Sequence, residues 1–131
     1  MKKLIRLVAF YFGILLIFQS FARADAMEDW LESGPARGVP VCAASFVFLG
    51  NFDAKTEVEK SNFNKIGLLI AKFGMQFSPD SEVLTGEFVG LYTNKLLRAK
   101  SVQTRNEVFE EVKTIAVACT KYLPKKGLKI F

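Results

Sequence analysis

The sequence predicts an all-α protein, a small four-helix up-and-down bundle stapled by one disulfide. Apolar residues recur at gaps of three and four in several segments, which is the spacing of one helix face. Short clusters of turn-forming residues separate these segments, as expected for brief connections between antiparallel helices. The two cysteines stand 77 positions apart, near the two ends of the predicted helical domain. A strand-like pattern competes only weakly, around residues 39–48.

Residues 1–24 carry the three-part pattern of a cleaved secretory signal peptide, with 1–26 as the alternative. Lys2, Lys3 and Arg6 precede an uncharged apolar run over residues 7–18, and small residues at 22, 24 and 26 provide two overlapping cleavage signals. An uncleaved membrane anchor is the other interpretation, but the run is shorter than the roughly 20 residues that span a bilayer. We expect a periplasmic or secreted protein with no membrane attachment after cleavage.

The charge and composition of the mature chain exclude several function classes. The whole chain has a net charge of +5, but residues 1–24 hold four of the 18 basic residues and no acid, so the net charge from Asp25 onward is +1. A near-neutral domain gives no electrostatic basis for binding nucleic acid. The sequence contains no histidine, which excludes Ser-His-Asp and Cys-His catalysis and histidine-ligated metals. We therefore predict no catalytic residue, no metal site and no cofactor.

Cys42 and Cys119 are predicted to form the disulfide. An exported chain meets an oxidising compartment, and two cysteines allow a single pairing. The alternative is a pair of buried free thiols, and a redox pair is disfavoured because the sequence has no Cys-x-x-Cys motif. About 107 residues remain after removal of the signal, a length at which the core is modest and a covalent staple adds stability.

The mature chain divides into an irregular lead-in over residues 25–39 and a helical domain over residues 40–131. Two Gly/Pro clusters mark the lead-in as a loop, and Pro40 suits the first position of a helix that runs to about Gly50. This helix is apolar nearly all round, so we expect it to be well buried. Its predicted inner face comprises Val41, Cys42, Ser45, Phe46 and Leu49.

Capping residues predict where the second and third helices begin. Thr56 is followed three positions later by Glu59, which is a capping-box pattern. Ser78 is expected to cap the third helix, with Pro79 in its first turn. The stripe of the second helix comprises Phe63, Ile66, Ile70, Phe73 and Phe77. The inner face of the third is predicted to comprise Leu84, Phe88, Leu91 and Leu96.

The fourth helix is predicted to begin at a second capping-box pattern, Thr104 with Glu107, and to end at Pro124. Its stripe comprises Val108, Val112, Ile115, Cys119 and Tyr122. Cys42 begins the first helix and Cys119 lies late in the last, so an antiparallel first–last pair brings the two sulfur atoms together. The predicted topology and the predicted disulfide therefore agree.

Two glycine pairs have two interpretations each. Gly67 with Gly74, and Gly86 with Gly90, either let the second and third helices approach closely or line a groove for a ligand. Close packing is the favoured interpretation.

The candidate partner contacts are aromatic and charged residues near the predicted helix ends. Trp30 either docks on the bundle or anchors a partner, and either Phe48 or Phe52 is expected to be exposed because neither follows the stripe of Phe46. A basic cluster around the third turn is either a solvated helix end or a patch for an acidic partner. The set comprises Trp30, Phe52, Asp53, Lys95, Arg98, Lys100 and Arg105.

The layout of the chain resembles that of the periplasmic immunity proteins that neutralise type VI secretion amidases. The shared features are the signal peptide, a cysteine that opens the first helix within residues 40–43, and a cysteine followed by a tyrosine within residues 118–122. The resemblance implies a protein that binds and blocks an enzyme and is not itself an enzyme. It carries no contact residue over to this sequence.

Two other functions stay open on the sequence. The acid-activated periplasmic chaperones are also helical with one disulfide, but their cysteines lie closer together, and this mature chain is not rich in acids. A carrier of lipid or another apolar ligand is favoured only by the phenylalanines of the predicted helical domain. A protein partner is expected, and the sequence leaves its identity and the oligomeric state open.

Overall fold

The described part of the chain folds as four antiparallel helices. The structure is a computed structural model, and it describes residue 31 and residues 33–131. The helices are α1 (Pro35–Phe52), α2 (Glu57–Gly74), α3 (Ser81–Arg98) and α4 (Val102–Lys126), and these described residues contain no strand. The predicted all-α class is confirmed. The predicted signal peptide and Trp30 lie outside the described residues. Among the described residues, no helix has the length and hydrophobicity to cross a bilayer.

Helix α1 is the centre of the bundle. It contacts each of the other three helices, whereas no Cα atom of α2 comes within 8 Å of one in α4. Its side chains are buried on nearly every side, as its apolar sequence predicts. The inner face expected for it is buried in full, together with neighbours such as Val39 and Phe48 on other sides of the helix. The three remaining helices therefore pack around α1 and keep their outer faces in water.

The disulfide joins α1 to α4 as predicted. Cys42 and Cys119 are bonded, with their Cα atoms 5.7 Å apart, and both residues are fully buried. Towards the other end of the same helix pair, the rings of Phe48 and Phe109 lie 5.8 Å apart. A later residue of α1 thus contacts an earlier residue of α4, so the two helices run antiparallel.

The predicted start of the first helix at Pro40 is wrong. Helix α1 begins at Pro35, after Gly34 adopts a positive φ of 104°, and Pro40 lies inside the helix. Residues 35–39 thus belong to α1 and not to an irregular lead-in. Gly38 and Val39 are buried, so packing on the bundle outweighs the turn preference of the local sequence. Pro40 costs one backbone hydrogen bond in the process.

The N-terminus of α2 is predicted correctly, and that of α3 is not. Thr56 Oγ1 accepts the Glu59 N–H at 3.0 Å, although the Glu59 carboxylate accepts from Lys55 N–H and not from Thr56. Helix α3 begins at Ser81, after Asp80, and not at the predicted cap. The later start places the buried Ser81 hydroxyl on the Ala71 carbonyl at 2.7 Å, and this tertiary bond fixes the register.

Both predicted ends of the fourth helix are displaced. The capping box is Ser101 with Thr104, so α4 starts at Val102, three residues before a helix capped by Thr104 would start. The earlier cap adds residues and backbone hydrogen bonds to the helix, and the N-terminus of the helix is still capped. Pro124 lies inside the last turn, because its fixed φ is helical. The helix ends at Gly127, whose φ of 113° is left-handed.

One inner-face prediction for the third helix is wrong. Leu91 is 43% exposed, and its neighbour Tyr92 is fully buried instead. The buried stripe of α3 comprises Ser81, Thr85, Phe88 and Tyr92. The hydrogen bond from Ser81 to α2 sets the rotation of α3 about its axis. The buried stripe therefore passes through Tyr92, one position after Leu91. On α4 the predicted stripe is confirmed at Val112, Ile115 and Cys119, which are buried.

The glycine pairs have different roles. A Cβ at Gly67 would lie 2.5 Å from Val47 Cγ2 and 3.1 Å from the Ala43 carbonyl, so this glycine lets α2 approach α1. A Cβ at Gly74 would collide with Ser81 and lie 3.0 Å from Val39 Cγ1. At Gly86 and Gly90, by contrast, a Cβ meets no atom of the described residues within 4 Å. Close packing therefore explains the first pair only.

Alanine substitutions separate the two kinds of glycine. Gly86→Ala is expected to raise the free energy of unfolding by about 0.5–1 kcal/mol, because alanine is the better helix former and meets no obstruction. Gly67→Ala is expected to lower it by about 1–3 kcal/mol, since α1 must move away from α2. Urea titration of both variants checks this, and equal effects would contradict the assignment of Gly67 to the α1–α2 contact.

The disulfide is expected to supply a large part of the stability. A cross-link between residues 77 positions apart stabilises by about 4 kcal/mol in the chain-entropy model. Reduction, or the variant Cys42→Ala/Cys119→Ala, should lower the free energy of unfolding by this order. The measurement is urea unfolding with and without reductant. Titration of two free thiols in the native, unreduced protein would contradict the pairing.

Candidate functional site

The predicted partner contacts within the described residues gather at one end of the bundle. Phe52 and Asp53 end α1, while Lys95, Arg98, Lys100 and Arg105 surround the turn from α3 to α4. Helices α1 and α3 run in one direction and α4 runs in the other, so these residues lie in the half of the bundle away from the disulfide. We name these six residues the charged end. Trp30, the remaining predicted contact, lies outside the described residues.

A buried aromatic cluster supports the charged end from below. Phe48 is fully buried, and its ring lies 6.0 Å from that of Tyr92 and 5.8 Å from that of Phe109. Phe52 packs on Phe48 at 5.0 Å and remains 42% exposed. One of the two phenylalanines is therefore exposed, as expected. Rigid packing below an exposed ring lowers the entropy that a partner contact costs.

Two of the predicted contacts are already paired inside the protein. Lys95 Nζ lies 3.2 Å from a carboxylate oxygen of Glu111, and Lys113 Nζ lies 3.7 Å from one of Asp53. Both lysines are more than 40% exposed, and ion pairs at such positions contribute at most about 1 kcal/mol each. These pairs orient the charges, and they leave Asp53 and Lys95 as weaker candidates than the sequence suggests.

The other three cations form no ion pair within the described residues. Arg98 ends α3, Lys100 lies in the turn, and Arg105 is in the first turns of α4; all three are exposed. Arg98 also borders a groove of about 340 Å³ between α3 and α4. The lining comprises Lys95, Arg98, Ala99, Thr104, Glu107, Val108 and Glu111. Lys100 and Arg105 lie outside this lining.

The acidic lining of this groove is missing from the predicted site. The sequence predicts Glu107 only as part of a helix cap, and Glu111 is not among the predicted contacts. Their position opposite the end of α3 follows from the register of two antiparallel helices, which local sequence does not determine. A pattern of Lys95 on one helix and acids four apart on the next is the signal that indicates such a pairing.

A second groove of about 410 Å³ lies where α1, α2 and α3 meet. Its lining comprises Val47, Asn64, Gly67, Leu68, Ala71, Glu82, Thr85, Gly86 and Val89. Leu68 is 51% exposed and gives the groove an apolar border. Gly86 therefore lines a groove, which is the less favoured of the two interpretations of the glycine pairs. This groove lies along the side of the bundle and is not part of the charged end.

Burial perturbs one titratable group beneath the charged end. Desolvation raises the pKa of the Tyr92 hydroxyl far above its ordinary value, and the carboxylate of Glu111 raises it further. Desolvation also raises the pKa of Tyr122. The folded protein therefore favours neutral tyrosine at both positions.

Comparison with family models, with curated proteins and with solved structures gives no match to this chain. The resemblance to immunity proteins thus has the weight of the sequence layout alone.

The raised pKa of Tyr92 predicts loss of stability in alkali. The folded-state pKa of Tyr92 exceeds the unfolded value of about 10. The contribution of neutral Tyr92 to the free energy of unfolding is therefore complete below pH 10 and declines as the pH rises above it. Tyr92→Phe keeps the ring and removes the titration, so its free energy of unfolding should fall less steeply above pH 10. Urea titrations between pH 8 and pH 11 measure both slopes, with Tyr122→Phe as the comparison. Equal slopes for wild type and Tyr92→Phe would contradict this.

Proposed function

We propose that the protein is an exported protein-binding module that inhibits a cell-envelope enzyme, in the manner of an immunity protein. The charged end is the binding surface, and the partner presents an acidic patch to it. The observation that carries the proposal is a group of exposed cations, Arg98, Lys100 and Arg105, that form no ion pair within the described residues and lie in the same half of the bundle as the exposed ring of Phe52. Arginine and aromatic side chains dominate the binding energy of protein interfaces.

The rigidity of the scaffold supports the same proposal. Phe52 and Arg98 stand on helix ends, and the buried Phe48 cluster and the Lys95–Glu111 pair hold those ends together. A surface that is already ordered before binding loses little entropy when a partner docks. The disulfide fixes the opposite half of the α1–α4 pair. An inhibitor needs such a surface and no reactive group of its own.

Export is part of the proposal. The N-terminal pattern supports it, and a disulfide is compatible with it because disulfides persist mainly in oxidising compartments.

The partner experiment tests the function directly. Protein tagged at the C-terminus is recovered from the envelope fraction of the source cells, and its partners and its own N-terminus are read by mass spectrometry. We expect one stoichiometric enzyme, inhibited at a 1:1 ratio by the purified protein, and a mature chain that begins at Asp25 or Met27. Many unfolded clients bound only at low pH would replace the proposal with a chaperone. Hydrolysis of cell-wall substrates by the protein itself would also overturn it.

Charge reversal tests the assignment to the charged end. Arg98→Glu/Arg105→Glu is expected to weaken partner binding about tenfold at low salt, and less at high salt, because exposed charges act chiefly on association and are screened. Arg98 is at a helix C-terminus and Arg105 near a helix N-terminus, so the effects of the two changes on the helix dipoles oppose each other. The fold should therefore be stable.

The matched control reverses two exposed lysines elsewhere. Lys65→Glu/Lys121→Glu changes the net charge by the same amount at sites on the sides of α2 and α4. Its affinity should equal that of wild type. Equal losses in both double variants would assign the effect to net charge and contradict the site.

A further inference from the structure

Among the described residues, no helix covers one side of α1. Helices α2 and α4 flank it without approaching each other, since none of their Cα atoms lie within 8 Å. Yet Phe46, which faces this side, is only 6% exposed. We name this strip the α2–α4 seam and define it by Phe46 of α1 with Phe63 and Phe73 of α2. The rings of Phe46 and Phe63 lie 6.2 Å apart.

The seam is covered by the four residues that follow Gly127. The chain turns at Gly127, where an added Cβ would lie 3.9 Å from Phe73 Cζ, and Leu128 N–H donates to the Leu123 carbonyl at 3.0 Å. Leu128 and Ile130 then pack on the core, and the ring of Phe131 stacks on that of Phe46 at 5.6 Å. We name residues 128–131 the closing segment.

The closing segment runs along the seam from one end towards the other. It starts near the ring of Phe73 and reaches that of Phe46, which is also the partner ring of Phe63. Phe63 and Phe73 are ten residues apart on α2, which is about 15 Å along the helix axis. The segment therefore lies along the seam as a peptide lies in a groove.

The closing segment is held almost entirely by apolar contacts. Within the described residues, the Leu128 N–H bond is its single hydrogen bond, and it forms no ion pair. Phe131 remains 53% exposed although it stacks on Phe46. Segments with few buried contacts and no directional bonds open locally at low cost. The seam is thus occupied by a short peptide with one hydrogen bond, and the contacts of α1 with α2, α3 and α4 do not run through it.

We propose that the α2–α4 seam is a binding groove for short peptides with large apolar side chains, which the closing segment fills in cis. A partner segment of the pattern Leu-x-Ile-Phe enters the groove by displacing it. Phe46, Phe63 and Phe73 supply the contact surface, so recognition depends on apolar side chains and not on the peptide backbone. This surface is separate from the charged end, and the inference does not depend on export or on the inhibitor proposal.

A peptide titration tests the groove. The probe is acetyl-Gly-Leu-Lys-Ile-Phe-amide, added to the disulfide-bonded protein and followed through the NMR amide shifts of Phe46, Phe63 and Phe73. The variant Ile130→Ser/Phe131→Ser keeps the chain length and frees the groove. A tethered segment competes at an effective concentration of the order of mM, so the variant should bind the probe about fivefold more tightly than wild type. The probe acetyl-Gly-Leu-Lys-Ser-Ser-amide should cause no shifts.

A matched control and a milder variant complete the design. Leu97→Ser/Val117→Ser removes two exposed apolar side chains elsewhere, at 75% and 63% exposure, and should bind the probe as wild type does. Phe131→Ser alone disturbs the core least and should give a smaller tightening than the double change. If exposing the seam unfolds the double variant, this single variant decides.

Three results would overturn the proposal. The first is equal affinity of wild type and both groove variants for the probe. The second is a set of shifts confined to the groove between α1, α2 and α3. The third is a concentration-dependent dimer of wild type that the serine variants abolish, which would assign the seam to a second copy of this chain. None of these results bears on the inhibitor proposal, because no enzyme is present in the assay.

Discussion

The structure depends on the burial of α1. This helix is apolar on almost every side, so it is stable in water only when other parts of the chain enclose it. Three helices enclose three sides, and the closing segment covers the side between α2 and α4. Gly67 allows the closest of these contacts, because a side chain there would hold α2 away from Val47. The disulfide then joins the central helix to the last one and keeps the enclosure in place.

The enclosure also explains where a partner surface arises. Helices α2, α3 and α4 each bury one stripe and leave a polar outer face, whereas their ends carry the turns and the caps. At one end the aromatic cluster around Phe48 fills the space between α1, α3 and α4. Charges from three elements therefore meet on a firm base. The proposed function uses that base, and the seam supplies a second, apolar surface on a different side of the molecule.

Amphipathic periodicity predicts the buried faces of α2 and α4 but not the ends of α4. Each helix has one buried stripe, and the three- and four-residue spacing of its apolar residues reveals that stripe. The periodicity fails where tertiary contacts decide. Gly38 and Pro40 look like loop residues until they are buried on the bundle, and Tyr92 replaces Leu91 inside because the Ser81 hydroxyl anchors α3 on α2. For the candidate site, the cations are visible in the sequence. Their pairing with Glu111, and the groove beside them, require the register between α3 and α4, which no local pattern contains.

Native-state hydrogen exchange tests the central role of α1 most directly. If the other elements enclose α1, its amides between residues 41 and 49 open only when the whole protein unfolds, and their free energies of exchange equal the global free energy of unfolding. Amides on the outer faces of α2 and α3 then exchange through smaller openings. Exchange of the α1 amides at a lower free energy than those of α2 or α4 would contradict this account, since the central helix would then open while its surroundings stay folded.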